Sequence, residues 1–225
     1  MISPATIVDA LQRRAGNARR FLVGLAGPPA AGKSTLAEAL RENLLARGES
    51  AEILPMDGFH MDNAILAERG LLQRKGVPES FDGRGFVDIV NALKRADGEV
   101  LVPVFDRSRE LAVNAARAIA QETRFVLAEG NYLLFRDAPW DRLDGLFDFT
   151  IFVGPPYEVL EERLRQRWLG YALPEDEIQW KLYGNDLPNG KRILRIPGPP
   201  TFISTFSEAI VLRRHGCYRS REDRK

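Results

Sequence analysis

Cysteine is almost absent, with Cys217 alone among 225 residues. A single thiol excludes an internal disulfide framework and fits a reducing compartment. Charge of one sign is missing too: 32 Lys and Arg face 31 Asp and Glu, for a formal net charge of +1. A chain that coats nucleic acid or an acidic membrane shows a basic excess, so neither partner is expected. The longest nearly uncharged apolar stretch, Phe21 to Gly32, is too short for a bilayer and contains Pro28 and Pro29. Residues Met1 to Arg20 lack the apolar core of a signal peptide, since Asp9, Gln12 and arginines interrupt them. Internal repeats, low-complexity tracts and linkers are likewise missing. A cytoplasmic protein is expected. With 44% hydrophobic residues it can bury one sizeable core, and a single domain over 1–225 is the natural reading.

What is present is an alternation of short buried strands and amphipathic helices. Ser3-Pro4 opens a helix whose apolar face carries Ile7, Val8 and Leu11 before Gly16. "FLVGLAG" (21–27) reads as a fully buried strand. From Lys33 the period changes: Leu36, Leu40 and Leu44 recur every four residues until Gly48. "AEILPM" (51–56) is a second strand, followed by strand candidates at 100–105, 124–130, 147–154 and 208–214. Further helices are expected at 63–69, 86–96, 156–169 and 174–183, with "RIPGPPTF" (195–202) as a loop into the last strand. Uncharged strands between amphipathic helices imply an α/β fold with a parallel sheet covered on both faces.

One segment carries most of the chemistry. Gly27-Pro28-Pro29-Ala30-Ala31-Gly32-Lys33-Ser34 matches G-x-x-x-x-G-K-[ST] in full. A strand must turn into a helix while backbone N–H groups converge on phosphate oxygens, which glycine permits. The helix start adds its positive end. Lys33 is expected to reach the β- and γ-phosphates and Ser34 to ligate Mg²⁺, with Thr35 closing the nucleotide-binding stretch. The other reading, a decorative Gly-rich turn, lacks this context of buried strand before and amphipathic helix after.

In a doubly wound sheet, ligands gather at the carboxyl ends of the strands. Asp57 leaves the second strand on that edge. It can take the proton of an attacking hydroxyl or sit near Mg²⁺, or it can merely cap the following turn. Gly58 is expected to bend the chain without obstructing the nucleophile. His60 is either a substrate contact or a partly buried ring.

The stretch "MDGFHMDNAILAERGLLQRKGVPESFD" (56–82) resembles bacterial type I pantothenate kinases, within the phosphoribulokinase and uridine kinase family. The likeness runs from the phosphate loop to about Leu169. It implies a three-layer P-loop fold with a mostly parallel central sheet and an Arg-bearing helical lid near 163–190. It also implies transfer of phosphate from ATP, with Mg²⁺, to a hydroxyl of a small metabolite, with Asp57 as general base. In the family a Pro-x-Tyr/Phe-Asp element contacts the acceptor; here this points to Asp106, with Arg107 and Arg109 beside it to hold an oxyanion or stack. A solvated charge cluster is the alternative. Glu129, followed by Gly130, resembles the family's magnesium-side acid, and Asn131 and Tyr132 are expected to follow it into the site; a capping acid is the other reading. Arg163 and Arg167 share a helix face and resemble lid arginines that neutralise the transferred group, while Arg165 points elsewhere. A solvated face is the default for such a run. "YGNDLPNG" (183–190) reads as a turn whose Asn185, Asp186 and Asn189 touch nucleotide or lid.

The acceptor stays open. His60 and His215 are the only histidines, so no histidine stands near Asp106 to read a pyrimidine. Pantothenate kinases are longer and diverge after Val104. A short bacterial subgroup labelled fructose transport system kinase or nucleoside/nucleotide kinase is similar over more of the chain, which favours a sugar, with pantothenate or a nucleoside as alternatives. A P-loop switch or regulatory ATPase is the rival from another class, although no Asn-Lys-x-Asp element is present. Oligomeric state is open, a homodimer included.

Overall fold

The computed structural model describes residues 3–194, together with the backbone of 201–205 and 208–213. Helix α1 (Pro4–Ala15) starts where the Ser3 hydroxyl accepts from the Thr6 N–H, and it buries Ile7, Val8 and Leu11. Strand β1 (Phe21–Ala26) is buried at every position and leads through the Gly-rich loop into α2 (Lys33–Ala46), which buries Leu36, Leu40 and Leu44. Strand β2 (Ala51–Pro55) ends in a 3₁₀ turn at Met56–Phe59. Short α3 (Asn63–Glu68) and α4 (Gly83–Arg95) follow, each capped by an aspartate, Asp62 and Asp82. Then come β3 (Val100–Asp106), β4 (Leu111–Ile119), β5 (Phe125–Gly130) and β6 (Phe149–Gly154). The C-terminal part holds α5 (Tyr157–Gly170), α6 (Glu175–Gln179), a widened π turn at Trp180–Asp186, α7 (Leu187–Leu194), β7 (Thr201–Thr205) and β8 (Glu208–Arg213).

The main sheet has the order β2-β5-β1-β6-β8-β7. Its first four strands are parallel, and β8 and β7 close one edge antiparallel. Register sets the site: Glu129 of β5 lies level with Leu25 of β1 on one side and Pro55 of β2 on the other. Gly27 and Asp57 therefore emerge two residues beyond the same line. One face of the sheet packs against α1 and α2 through Ile7, Leu11, Leu40 and Leu44. The other packs against α4 and Trp140 through Phe86, Val90 and Leu93. The result is three layers, α/β/α. A third apolar cluster, centred on Leu160, Leu164, Ile178, Leu182 and Leu187, holds the C-terminal helices together.

Two expectations are corrected. Residues 100–105 do not extend the parallel sheet; β3 pairs antiparallel with β4 as a separate two-stranded hairpin. Only Val102 of β3 is fully buried and Leu101 is half exposed, so the strand has one apolar face instead of two. From β4, the Arg117 guanidinium donates to the Ile53 carbonyl, laying the hairpin over the open edge of β2. Residues 183–190 form no turn but continue a helix, because Leu182, Leu187 and Ile193 bury apolar surface and Asn185, Asp186 and Asn189 find partners inside. Of the expected C-terminal loop, residues 195–200 lie outside the described residues, as do His215 and Cys217.

Candidate active site

The Gly-rich loop wraps tightly under the start of α2. A Cβ on Gly27 would lie 2.1 Å from the Val153 carbonyl oxygen, so only glycine permits this approach to β6. Gly32, the residue before α2, has φ +96. Lys33 is buried, with its ammonium donating to the Pro28 carbonyl at 2.9 Å and to Asn131 Oδ1 at 2.8 Å. Burial lowers its pKa, and Glu129 is the chief opposing influence. Pro29, Ala30, Gly32, Ser34 and Thr35 face the cleft above the loop. Pro28 and Ala31 serve it through their carbonyls, the second accepting from Arg163 at 3.3 Å.

At the end of β5, Glu129 is 8% exposed and accepts from the Ser34 hydroxyl at 3.2 Å. Burial raises the Glu129 pKa, with Lys33 opposing and Asp57 reinforcing the rise. A hydroxyl beside a carboxylate is the oxygen pair that suits a hard divalent ion sharing phosphate ligands. Asn131 enters the cleft at Lys33. Tyr132 does not, which corrects the expectation for it: its ring is fully buried among Phe81, Phe135 and Trp140, and its hydroxyl donates to the Gly76 carbonyl. It braces the loop that carries Lys75.

Asp57 sits in the 3₁₀ turn after β2 and opens onto the same cleft. Arg107, from the hairpin tip, donates to Asp57 Oδ2 at 2.7 Å. Gly58 has a different task from the one expected. A Cβ there would lie 2.3 Å from the Pro103 carbonyl oxygen, so glycine lets the hairpin backbone press onto the turn. His60 stacks on Phe81 with centroids 3.9 Å apart and lies 5.1 Å from Phe105. Burial holds its pKa down to about 4, against the pull of Asp57, so the ring is neutral. Asp106 and Arg109 are corrected as well: the Asp106 carboxylate caps the hairpin turn by accepting from the Ser108 N–H and hydroxyl, and Arg109 lies mostly exposed beside it. Neither lines the cleft.

Helix α5 covers the loop. Arg163 reaches the phosphate-loop backbone, Arg167 faces the cleft, and Arg165 turns outward into a two-pronged bond with Glu175 at 2.9 and 2.8 Å. The π turn brings Asp186 back toward α5, where its carboxylate accepts from Trp168 Nε1 at 2.7 Å; burial raises its pKa. Asn185 donates to the Lys75 carbonyl, and Asn189 to Asn185. Asp186 and Asn189 line the cleft, while Asn185 stands behind it.

All these elements enclose one cleft of about 720 Å³. Its wall includes Lys75, Phe81, Phe105 and Lys181, which the sequence reading passed over. The Lys75 ammonium bonds Asn63 Oδ1 and the Glu110 carbonyl and stands 5.0 Å over the Phe105 ring. The "QRKGVPE" segment carries no motif of its own, and only the pairing of 56–82 with the hairpin brings it in.

A phosphate-loop motif, two strand-end carboxylates and an arginine-bearing helix around one cleft define the class: a P-loop kinase. Residues 2–80 match the model of the methylmalonyl Co-A mutase-associated GTPase MeaB, a P-loop family. The chain is 34% identical over 179 residues to uncharacterized protein YggC of Escherichia coli K12, across 78% of this chain and 73% of that one. It is 36% identical over 166 residues to pantothenate kinase of Leifsonia xyli, across 72% of this chain and 51% of that enzyme. The chain thus spans about half the length of the curated pantothenate kinases it matches. Among solved structures, that of a proposed fructose transport system kinase from Silicibacter sp. TM1040 superposes with TM-score 0.83 at 41% identity, covering 88% of this chain and 97% of the other. The chain belongs with the Silicibacter protein and YggC among the P-loop kinases, and the pantothenate kinases are longer relatives. Among the described residues, no helix is long and apolar enough to cross a membrane.

Proposed function

We propose that the protein transfers the γ-phosphoryl group of ATP to a hydroxyl of a small metabolite, with Asp57 as the general base. The observation that carries this reading is that Asp57 opens onto the same cleft as Lys33, Ser34 and Glu129. Lys33 binds the β- and γ-phosphates, and Arg163 and Arg167 neutralise charge as it develops on the transferred group. Ser34 and Glu129 would hold Mg²⁺, which when bound would supply positive charge against that of the phosphates. Asp57 takes the proton of the acceptor hydroxyl and aims its oxygen at the γ-phosphorus.

A sugar is the first acceptor class, supported by the name of the Silicibacter relative; pantothenate is the second, supported by the Leifsonia enzyme. A GTPase reading draws on the match of residues 2–80 to the MeaB model, but that segment stops short of the hairpin, β5 and α5. Measuring ADP release over sugars, nucleosides and pantothenate tests the proposal. Turnover that depends on an acceptor and falls on the order of 10²- to 10⁴-fold in Asp57→Asn is expected. Equal phosphate release with GTP and no acceptor favours the switch. Undiminished turnover in Asp57→Asn removes Asp57 as the base.

A further inference from the structure

The acid assigned as base is not alone. Among the described residues, the Arg107 guanidinium has Asp57 Oδ2 as its hydrogen-bond partner, at 2.7 Å. A guanidinium carries five N–H donors in a planar fork, so this contact leaves most of them unused. Arg107 lines the cleft, its side chain is 49% exposed, and its Cζ lies 5.9 Å from the Phe105 centroid. Lys75 lies 5.0 Å from that same ring, but its ammonium is committed to Asn63 and to both the carbonyl and the carboxylate of Glu110. Of the two cations on this wall, Arg107 is the one able to take a new partner. His60 stacks on Phe81 and tilts against Phe105, and the three rings form an aromatic surface on this wall.

Building on the kinase reading, we infer that the acceptor carries an anionic group, a carboxylate or a phosphate, close to the hydroxyl that is phosphorylated, and that Arg107 selects for it. While this bond stands, one lone-pair site of Asp57 Oδ2 is taken by the guanidinium and is not open to the acceptor hydroxyl. A neutral polyol offers Arg107 nothing to exchange for Asp57. An anion offers two parallel N–H···O bonds that match the fork, and charge-assisted pairs of this kind are the strong ones. Arg107 then turns from the base to the substrate and frees Asp57 Oδ2 when the correct acceptor is in place. The aromatic wall accommodates the short carbon chain between anion and hydroxyl. Arg107 thus acts as a specificity residue that touches substrate and as a latch on the base.

Matched acceptor pairs test this directly: gluconate against sorbitol for the carboxylate, fructose 6-phosphate against fructose for the phosphate. In the wild type, kcat/KM for one anionic member is expected to exceed its neutral partner on the order of 10- to 100-fold. That ratio is expected to collapse toward one in Arg107→Gln, chiefly through KM, and to return in part in Arg107→Lys, which restores charge without the fork. The member that is preferred tells carboxylate from phosphate. A neutral partner used as well as its anion, or a ratio unchanged in Arg107→Gln, overturns the inference and leaves the kinase reading intact. If no acceptor yields ADP, that reading fails by itself. Calorimetry with the same two anions then decides the inference: binding lost in Arg107→Gln supports an anion site, and no binding to the wild type overturns it.

Discussion

Replacing Gly58 by alanine adds one methyl group at the most crowded point beside the proposed base. The new Cβ would stand 2.3 Å from the Pro103 carbonyl oxygen, 2.6 Å from its carbon and 3.0 Å from the Val104 nitrogen. All three are backbone atoms, so no side chain can rotate away. Gly58 is not at positive φ, and alanine meets no intrinsic strain there. Turn and hairpin must part by about 1 Å to restore ordinary contact. Overpacking of this kind costs about 1–3 kcal/mol. For a chain of this size that corresponds to a fall in Tm of roughly 2–12 °C. The same displacement separates Asp57, on the turn, from Arg107, on the hairpin, and misplacement by 1 Å lowers turnover on the order of 10²-fold. Gly98→Ala is the matched control, since nothing lies within 4 Å of a Cβ there. Thermal denaturation and ADP release of both variants are the assays. If Gly58→Ala matches Gly98→Ala in both, the close approach of hairpin and turn is not what fixes the base.

Two other outcomes follow from the geometry. His60 titrates at about 4 in the fold against an ordinary 6.5. The unfolded chain therefore takes up this proton first as pH falls, and the associated stability is complete above 6.5 and lost toward 4. The loss is about 2 kcal/mol at pH 5, so the drop in Tm between pH 7 and pH 5 is expected to shrink in His60→Phe, which keeps the stack on Phe81; an equal drop refutes it. On α5, Arg167→Ala is expected to lower kcat on the order of 10²- to 10³-fold. Arg165→Ala, which removes only the exposed pair with Glu175, leaves kcat within about twofold because such a pair contributes little. Equal losses in the two variants rule out a facing-specific role for Arg167.

The parts of the site that read plainly from sequence are those whose signal is local. The phosphate loop needs glycines at fixed spacing, and Asp57 and Glu129 end short buried runs whose parallel pairing places them on one edge. Helices α2, α4 and α5 announce themselves through leucine and aromatic periodicity. What stayed illegible depends on distant partners. Strand β4, Leu111–Ile119, is rich in alanine, exposed or half-buried at all but its last residue, and has positive φ at Ala115, so neither apolar alternation nor β-branching marks it. Asp106 has the composition of a substrate contact but spends its oxygens on the turn it closes. Tyr132 follows Asn131 toward the cleft in sequence, yet Trp140 and Phe135 draw it into the core. Residues 183–190 carry glycine, proline and asparagine, the vocabulary of a turn, and burial of Leu182 and Leu187 overrides it.

The end of β5 leaves no spare position. Glu129 meets the hydroxyl of Ser34, and Gly130 yields to Met56, whose Cβ would lie 2.5 Å from any side chain there. Asn131 takes the ammonium of Lys33, and Tyr132 ties down Gly76 on the cleft wall. Four successive residues thus address four different neighbours, two at the end of the strand and two in the bend that follows it. Gaining or losing one residue here would hand every partner to the wrong side chain. Drift in side-chain size is survivable at this junction, whereas drift in length is not.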